Sequence, residues 1–239
     1  MAQPVPRRGP DLPYSIIAGV TPCGPNWLVA SAKVHGTVFA LEDATLAESF
    51  VEVLDRRPGF AVIALNAPIG YLPASRHGGR TCDRQARTLL GRRGSSIASA
   101  PIRIERGKDI DLAPDATDAV TRSLLPRYRE VAVEMAPYRQ RDVYEVHADL
   151  SFYQLNNEQP LRWSKHSERG IAERRSLLEQ KIPYVERILD AELPGASLSH
   201  LLDVTAFLWT ARRIFAHAAL RIPEDPEWDE QGLRMEMFR

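Results

Sequence analysis

Apolar residues fall in short runs in the first third of the chain and at helical spacing in the last third. Residues 14–20 (YSIIAGV) and 27–34 (WLVASAKV) are rich in β-branched residues and are separated by the breakers Pro22, Gly24 and Pro25, a pattern that predicts two consecutive strands. Residues 37–41 predict a third strand, joined through Gly36. Residues 44–54 then carry apolar side chains at helical spacing (Leu46, Phe50, Val53, Leu54), and residues 60–65 (FAVIAL) form a continuous apolar run of buried-strand type ending at Asn66-Ala67-Pro68. A strand meander, a helix and a buried strand in that order predict a mixed sheet with helical cover.

Beyond residue 70 the pattern changes. Residues 70–110 are rich in Arg, Gly and Ser and predict one short helix, near 83–90. Residues 115–135 read as a longer helix interrupted or kinked at Pro126, and residues 143–147 (VYEVH) as a short strand. From Ser164 onward the spacing is helical, in segments broken at Pro183, Pro194 and Pro223. Residues 1–13 hold four prolines and two arginines without periodicity and predict a disordered lead-in. The expected fold class is therefore α/β: one domain over 14–239, with a mixed sheet, helices on both faces and a helical C-terminal half.

With 239 residues, 44% of them apolar, the chain can bury a full core. Its 31 basic and 31 acidic residues cancel, so no global field recruits nucleic acid and any such affinity has to come from a local patch. Two cysteines, Cys23 and Cys82, are too few for a disulfide framework and suit a reducing compartment. No apolar run reaches the ~18 residues of a membrane span, and the first residues lack a signal-peptide core. These features predict a cytoplasmic protein without a membrane partner, and they leave homo-oligomerisation open.

Four places can carry chemistry. Asn66 sits in the turn after the FAVIAL strand, where ligands meet the carboxyl ends of strands in α/β sheets; it can equally cap the strand. Residues 76–93 contain six arginines against one acid, Asp83. Arg80, Arg84 and Arg87 recur at i, i+4, i+7 opposite the apolar stripe of Cys82, Ala86, Leu89 and Leu90, so they either track phosphates or form a solvated basic face. Glu145 and His147 share a face of the short strand by period-two alternation, which suits a divalent metal, a proton transfer or a plain ion pair. Asp203 lies inside the apolar helix of residues 198–220, where a carboxylate is costly unless it meets a metal or a cation such as Arg212 or Arg213. Ser199 and His200 stand one turn earlier on the same side, and Lys165 opens the preceding helical stretch, where it can meet a phosphate.

The order of ALNAPIG, RTCDRQARTLLGRRGSS with a later Ala-Pro, YEVHADLSF, SKHSERGIAERRSLL, LLDVTAFLWTARR and GLRMEM resembles the predicted ribonuclease H-like nucleases grouped as domain of unknown function four-twenty-nine. The resemblance runs from about Ile16 to Met237. It implies a ribonuclease H-like sheet and hydrolysis of phosphodiesters with Mg²⁺ or Mn²⁺ held by carboxylates, here Glu145, Asp203, Asp149 and the weaker Thr21. It also exposes departures. Members typically carry aspartate where this chain has Thr21 and Asn66, an acidic pair where it has Ser199 and His200, and glutamate where it has Asp149.

Loss of formal negative charge weakens a site for divalent ions, although His200 suits a softer metal such as Mn²⁺. The leading expectation is a nuclease-family protein with Asn66, Glu145, Asp203 and His200 at the reaction centre and Arg80, Arg84, Arg87 and Lys165 on phosphates. The alternatives are a catalytically degraded relative that binds nucleic acid or protein, and a hydrolase of small phosphates or nucleotides.

Overall fold

The computed structural model describes residues 13–106, 109–113 and 119–239; the proline-rich lead-in, except Pro13, lies outside them. The main sheet is built from β1 (Ser15–Cys23), β2 (Asn26–His35), β3 (Val38–Leu41), β4 (Thr45–Ala47), β5 (Phe60–Leu65) and β8 (Val143–Glu145). Its order is β3-β2-β1-β5-β8, and β4 adds to the far end of β2. The first three strands are an antiparallel meander, while β1, β5 and β8 run parallel. This is the mixed sheet expected from the sequence.

Alternation along the strands divides the core. Ile17, Val62 and Val146 point to one face, covered by α4 (Ala148–Leu155), α5 (Glu168–Lys181), α6 (Glu186–Leu189) and α7 (Leu198–Phe215). Ala18, Ile63 and Val143 point to the other, covered by α1 (Phe50–Asp55) and α3 (Ala119–Glu134). α7 is apolar on nearly every side because it lies between the sheet and α4 to α6, so even Thr205 and Thr210 turn their hydroxyls back onto the Leu201 and Ala206 carbonyls.

Four local expectations differ from what is found. Residues 44–54 are a strand and then a helix: Leu46 pairs with Leu28, and Ser49 caps α1 by accepting from the Glu52 N–H. Residues 70–110 hold α2 (Thr81–Leu90), a 3-10 turn over Gly91–Ser96, and half of a hairpin made by β6 (Ile102–Arg106) and β7 (Asp109–Ala113). Residues 148–155 form α4, for which no helix was expected. The C-terminal end is a hairpin of β9 (Arg221–Trp228) and β10 (Arg234–Phe238), not helix. Two prolines demote β9 by pattern, yet a two-stranded ribbon outside the main sheet tolerates them. Its Ile222, Met235 and Met237 pack on Cys82, Ala86 and Leu90 of α2.

α7 can lie this close to the sheet only because position 19 has no side chain. A Cβ added to Gly19 would meet the Val204 carbonyl oxygen and, at 2.5 Å, the Leu208 nitrogen, both helix backbone that cannot yield without moving α7. Gly19→Ala is therefore expected to lower the unfolding free energy by about 1–3 kcal/mol, the range for overpacking a close-packed core. Denaturant unfolding measures it, and an unchanged midpoint would contradict this packing.

Candidate functional site

The parallel strands finish at one level. Val20 pairs with Leu65 and Leu65 with Glu145, which brings Thr21, Asn66 and Glu145 side by side at the carboxyl end of the sheet. Asn66 donates from Nδ2 to Thr21 Oγ1 at 3.0 Å. Glu145 is buried and receives Arg80 through both oxygens, at 2.8 Å and 2.5 Å, and the Ile69 N–H at 2.6 Å. Arg80 is itself 1% exposed and also donates to Asp83 at 2.8 Å and to the Ile69 and Gly70 carbonyls. Burial disfavours the guanidinium, but Asp83 and Glu145 outweigh it and hold Arg80 charged. Burial pushes the Glu145 carboxyl above its ordinary value, with Arg80 opposing.

A second cluster comes from the helices. Asp203 on α7 is buried, and its Oδ2 accepts from Lys165 Nζ at 3.1 Å, while Oδ1 is buried with no hydrogen-bond partner among the described residues. Asp149, in the first turn of α4, accepts from Arg174 of α5 at 2.8 Å and from Arg93 at 3.2 Å. Burial pushes its carboxyl up, but His147, Ser96, Arg174 and Arg93 together hold it below the ordinary range. His147 caps α4, its Nδ1 accepting from the Asp149 N–H at 3.2 Å, and burial lowers the imidazole below its usual value, favouring the neutral ring.

The two clusters share one cleft of about 770 Å³ at the end of the sheet, lined by Asn66, Arg80, Glu145, Asp149, Lys165 and Asp203. Of the residues expected at the reaction centre, Asn66, Glu145 and Asp203 thus come together. Thr21 is buried against Asn66 and does not line the cleft. His200 does not line it either: its Nδ1 meets Ser197 N at 3.1 Å and Ser197 Oγ at 3.0 Å, closing a capping box at the start of α7. Asp203 pairs with Lys165 and not with Arg212 or Arg213, which lie over Phe39 and Trp209.

The arginine row needs correction as a phosphate track. All of Arg80's donors are spent inside the protein. Arg84 donates to the Gly79 carbonyl at 2.6 Å and to Thr81 Oγ1 at 2.8 Å. Arg87 donates to the Gly78 and Ile97 carbonyls and to Ser99 Oγ. Arg80 is thus buried on Asp83 and Glu145, while Arg84 and Arg87 are half-buried and spend donors on the protein's own segments at 78–81 and 97–99.

The divalent metal implied by the resemblance does not fit these residues. Among the described residues no three His, Cys, Asp or Glu side chains are grouped so as to hold an ion. Alternation explains part of this: Glu145 has the parity of Val143 and faces away from α7, whereas Asp203 projects from α7 on the opposite side. Pairing explains the rest, since Glu145 is claimed by Arg80, Asp149 by Arg174 and Arg93, and Asp203 by Lys165. Glu145 and His147 likewise do not combine, one held by Arg80 and the other capping α4.

Sequence reasoning missed Arg93 and Arg174 as partners of Asp149. It also did not single out the cluster of Trp163 with two arginines. Trp163, 36% exposed, lies beneath the Arg162 and Arg169 guanidinium groups at 5.4 Å and 5.0 Å, directly before the cleft-lining Ser164, Lys165 and His166. The available signal was composition: residues 161–176 carry five basic side chains and two acidic ones.

A family model described as protein of unknown function (DUF429) matches residues 19–228, and the chain belongs to that family. No curated protein and no solved structure matches it. Among the described residues no helix is long and apolar enough to cross a membrane.

Two predictions follow from the ion pairs. Arg80→Met strands Glu145 and Asp83 as uncompensated buried charges and is expected to cost about 3–5 kcal/mol of stability. Adding Glu145→Gln and Asp83→Asn should recover part of that; denaturant unfolding that finds the single variant within about 1 kcal/mol of wild type contradicts a buried triad. The second concerns Glu227 on β9, which accepts from Arg76 at 2.9 Å and 2.6 Å and from the Thr81 N–H at 3.2 Å. Mainly through Arg76, its carboxyl is lowered from 4.5 to about 2. A depressed carboxylate stabilises the fold above its unfolded value, and that contribution is lost as pH falls from 4.5 through about 2. Glu227→Gln should flatten the stability–pH curve in that window, and an identical slope would contradict the pairing.

Proposed function

We propose that this chain is a nucleic-acid-binding member of a ribonuclease H-like nuclease family that no longer carries out two-metal cleavage. The observation that carries the reading is the pairing of every acid left from the expected metal set: Glu145 with Arg80, Asp149 with Arg174 and Arg93, Asp203 with Lys165. Resident cations pair with the carboxylate oxygens that metal ions would need, Asp203 Oδ1 excepted.

What is left suits recognition. Lys165 and Arg93 line the cleft at 39% and 24% side-chain exposure, so both can meet phosphate oxygens while still facing their carboxylates. Trp163, stacked with Arg162 and Arg169, immediately precedes the cleft-lining Ser164 and Lys165 in the chain, and aromatic and guanidinium groups together suit an unpaired strand. Such a patch is local, as a net charge of zero requires.

The test is a pair of assays on the full chain. Labelled single- and double-stranded RNA and DNA in Mg²⁺ or Mn²⁺ should show no cleavage above that of Asp203→Asn. At low salt the protein should bind a single strand, and Arg93→Ala and Lys165→Ala should each weaken it by about three- to tenfold and reduce the salt slope by about 1. Metal-dependent cleavage that disappears in Asp203→Asn would overturn the proposal, as would the absence of binding to any strand.

A further inference from the structure

Within the cleft one polar atom is unexplained. Asp203 Oδ1 is buried, carries no hydrogen bond among the described residues, and belongs to a side chain lining the cleft, while its twin Oδ2 is fixed by Lys165. A buried acceptor on a charged group left without a donor is costly, and native structures seldom keep one without a use. The groups around it narrow what can pair with it. Lys165 is committed to Oδ2, His147 is bonded to the Asp149 N–H and to the Ser96 backbone, and His200 is closed on Ser197. A phosphate oxygen has no proton to offer and would be repelled. A metal ion would find one carboxylate oxygen beside an ammonium, and among the described residues no group of three His, Cys, Asp or Glu side chains that could hold it. The missing partner is therefore an O–H or N–H donor on the ligand.

Resting on the nucleic-acid reading above, we infer that Asp203 is a specificity-determining residue: its Oδ1 accepts a hydrogen bond from a ribose 2′-hydroxyl, so the strand bound is RNA and not DNA. The neighbouring cations fit this assignment. In a nucleotide the 2′-hydroxyl lies next to the 3′-phosphate, and beside Asp203 the cleft presents the Lys165 ammonium, with the Arg93 guanidinium further along its wall. One carboxylate that accepts and adjacent cations that donate form a complementary pair for a hydroxyl beside a phosphate.

The experiment compares three labelled single strands of one sequence by fluorescence anisotropy: ribo, deoxy, and 2′-O-methyl, which keeps the oxygen but removes its proton. Wild type should bind the ribo strand about tenfold more tightly than either of the others, the value of one hydrogen bond to a charged acceptor. In Asp203→Ala the three affinities should converge. Equal wild-type affinities would overturn the inference and leave strand binding intact. Should Asp203→Ala fail to fold, the wild-type ribo against 2′-O-methyl comparison decides alone. No binding of any strand overturns the underlying reading and this inference with it.

Discussion

Arg80 places one positive charge, removed from water, between Asp83 at the start of its own helix and Glu145 at the end of β8. That guanidinium joins α2 to the carboxyl end of the parallel strands, and through the Ile69 and Gly70 carbonyls it also fixes the turn that follows β5. A buried ion pair contributes little net stability compared with an apolar substitute, but removing one partner is expensive. The wall of the cleft is thus committed as a unit: Glu145 keeps its place because Arg80 is there, and its oxygens are unavailable for anything else.

The same logic is repeated on the opposite face of the sheet with different cations. Arg174 crosses from α5 to Asp149, Arg93 joins from the 3-10 turn, and Lys165 reaches Asp203 from the segment before α5. Strand parity sets Glu145 apart from Asp149 and Asp203, and each of the three carboxylates is paired with cations of the chain. The consequence is a polar cleft with balanced charge, suited to holding a ligand through hydrogen bonds and partly exposed cations. One carboxylate oxygen on α7 is the exception.

The sheet was legible because burial on both faces writes itself as continuous apolar runs, as in FAVIAL, and because Gly24 with Pro25 marks the turn between β1 and β2, although Pro22, read as a breaker, lies inside β1. α7 was legible for the same reason. The β9–β10 ribbon was not, since Arg221–Trp228 is polar and proline-bearing and is held by packing on α2 and by Arg76 to Glu227, interactions remote in sequence. Asn66, Glu145 and Asp203 were found because polar groups at strand ends or within an apolar helix stand out against their neighbours. Their partners were hidden. Whether Arg80, Arg84 and Arg87 face water or the protein's own loops depends on where residues 78–79 and 97–99 fold back, which helical periodicity does not encode. Thr21 and His200 were named through the family resemblance, but a position on a strand or helix does not fix where a side chain points.

All of this rests on cations of the chain standing where metal ions would be bound. Calorimetric titration of the full chain with Mn²⁺ at neutral pH measures that directly. Ion-paired carboxylates predict no saturable heat, in wild type and in Asp203→Asn alike. A stoichiometric Mn²⁺ site in wild type that is lost in Asp203→Asn would contradict the assignment, because Lys165 would then have to give way to a metal.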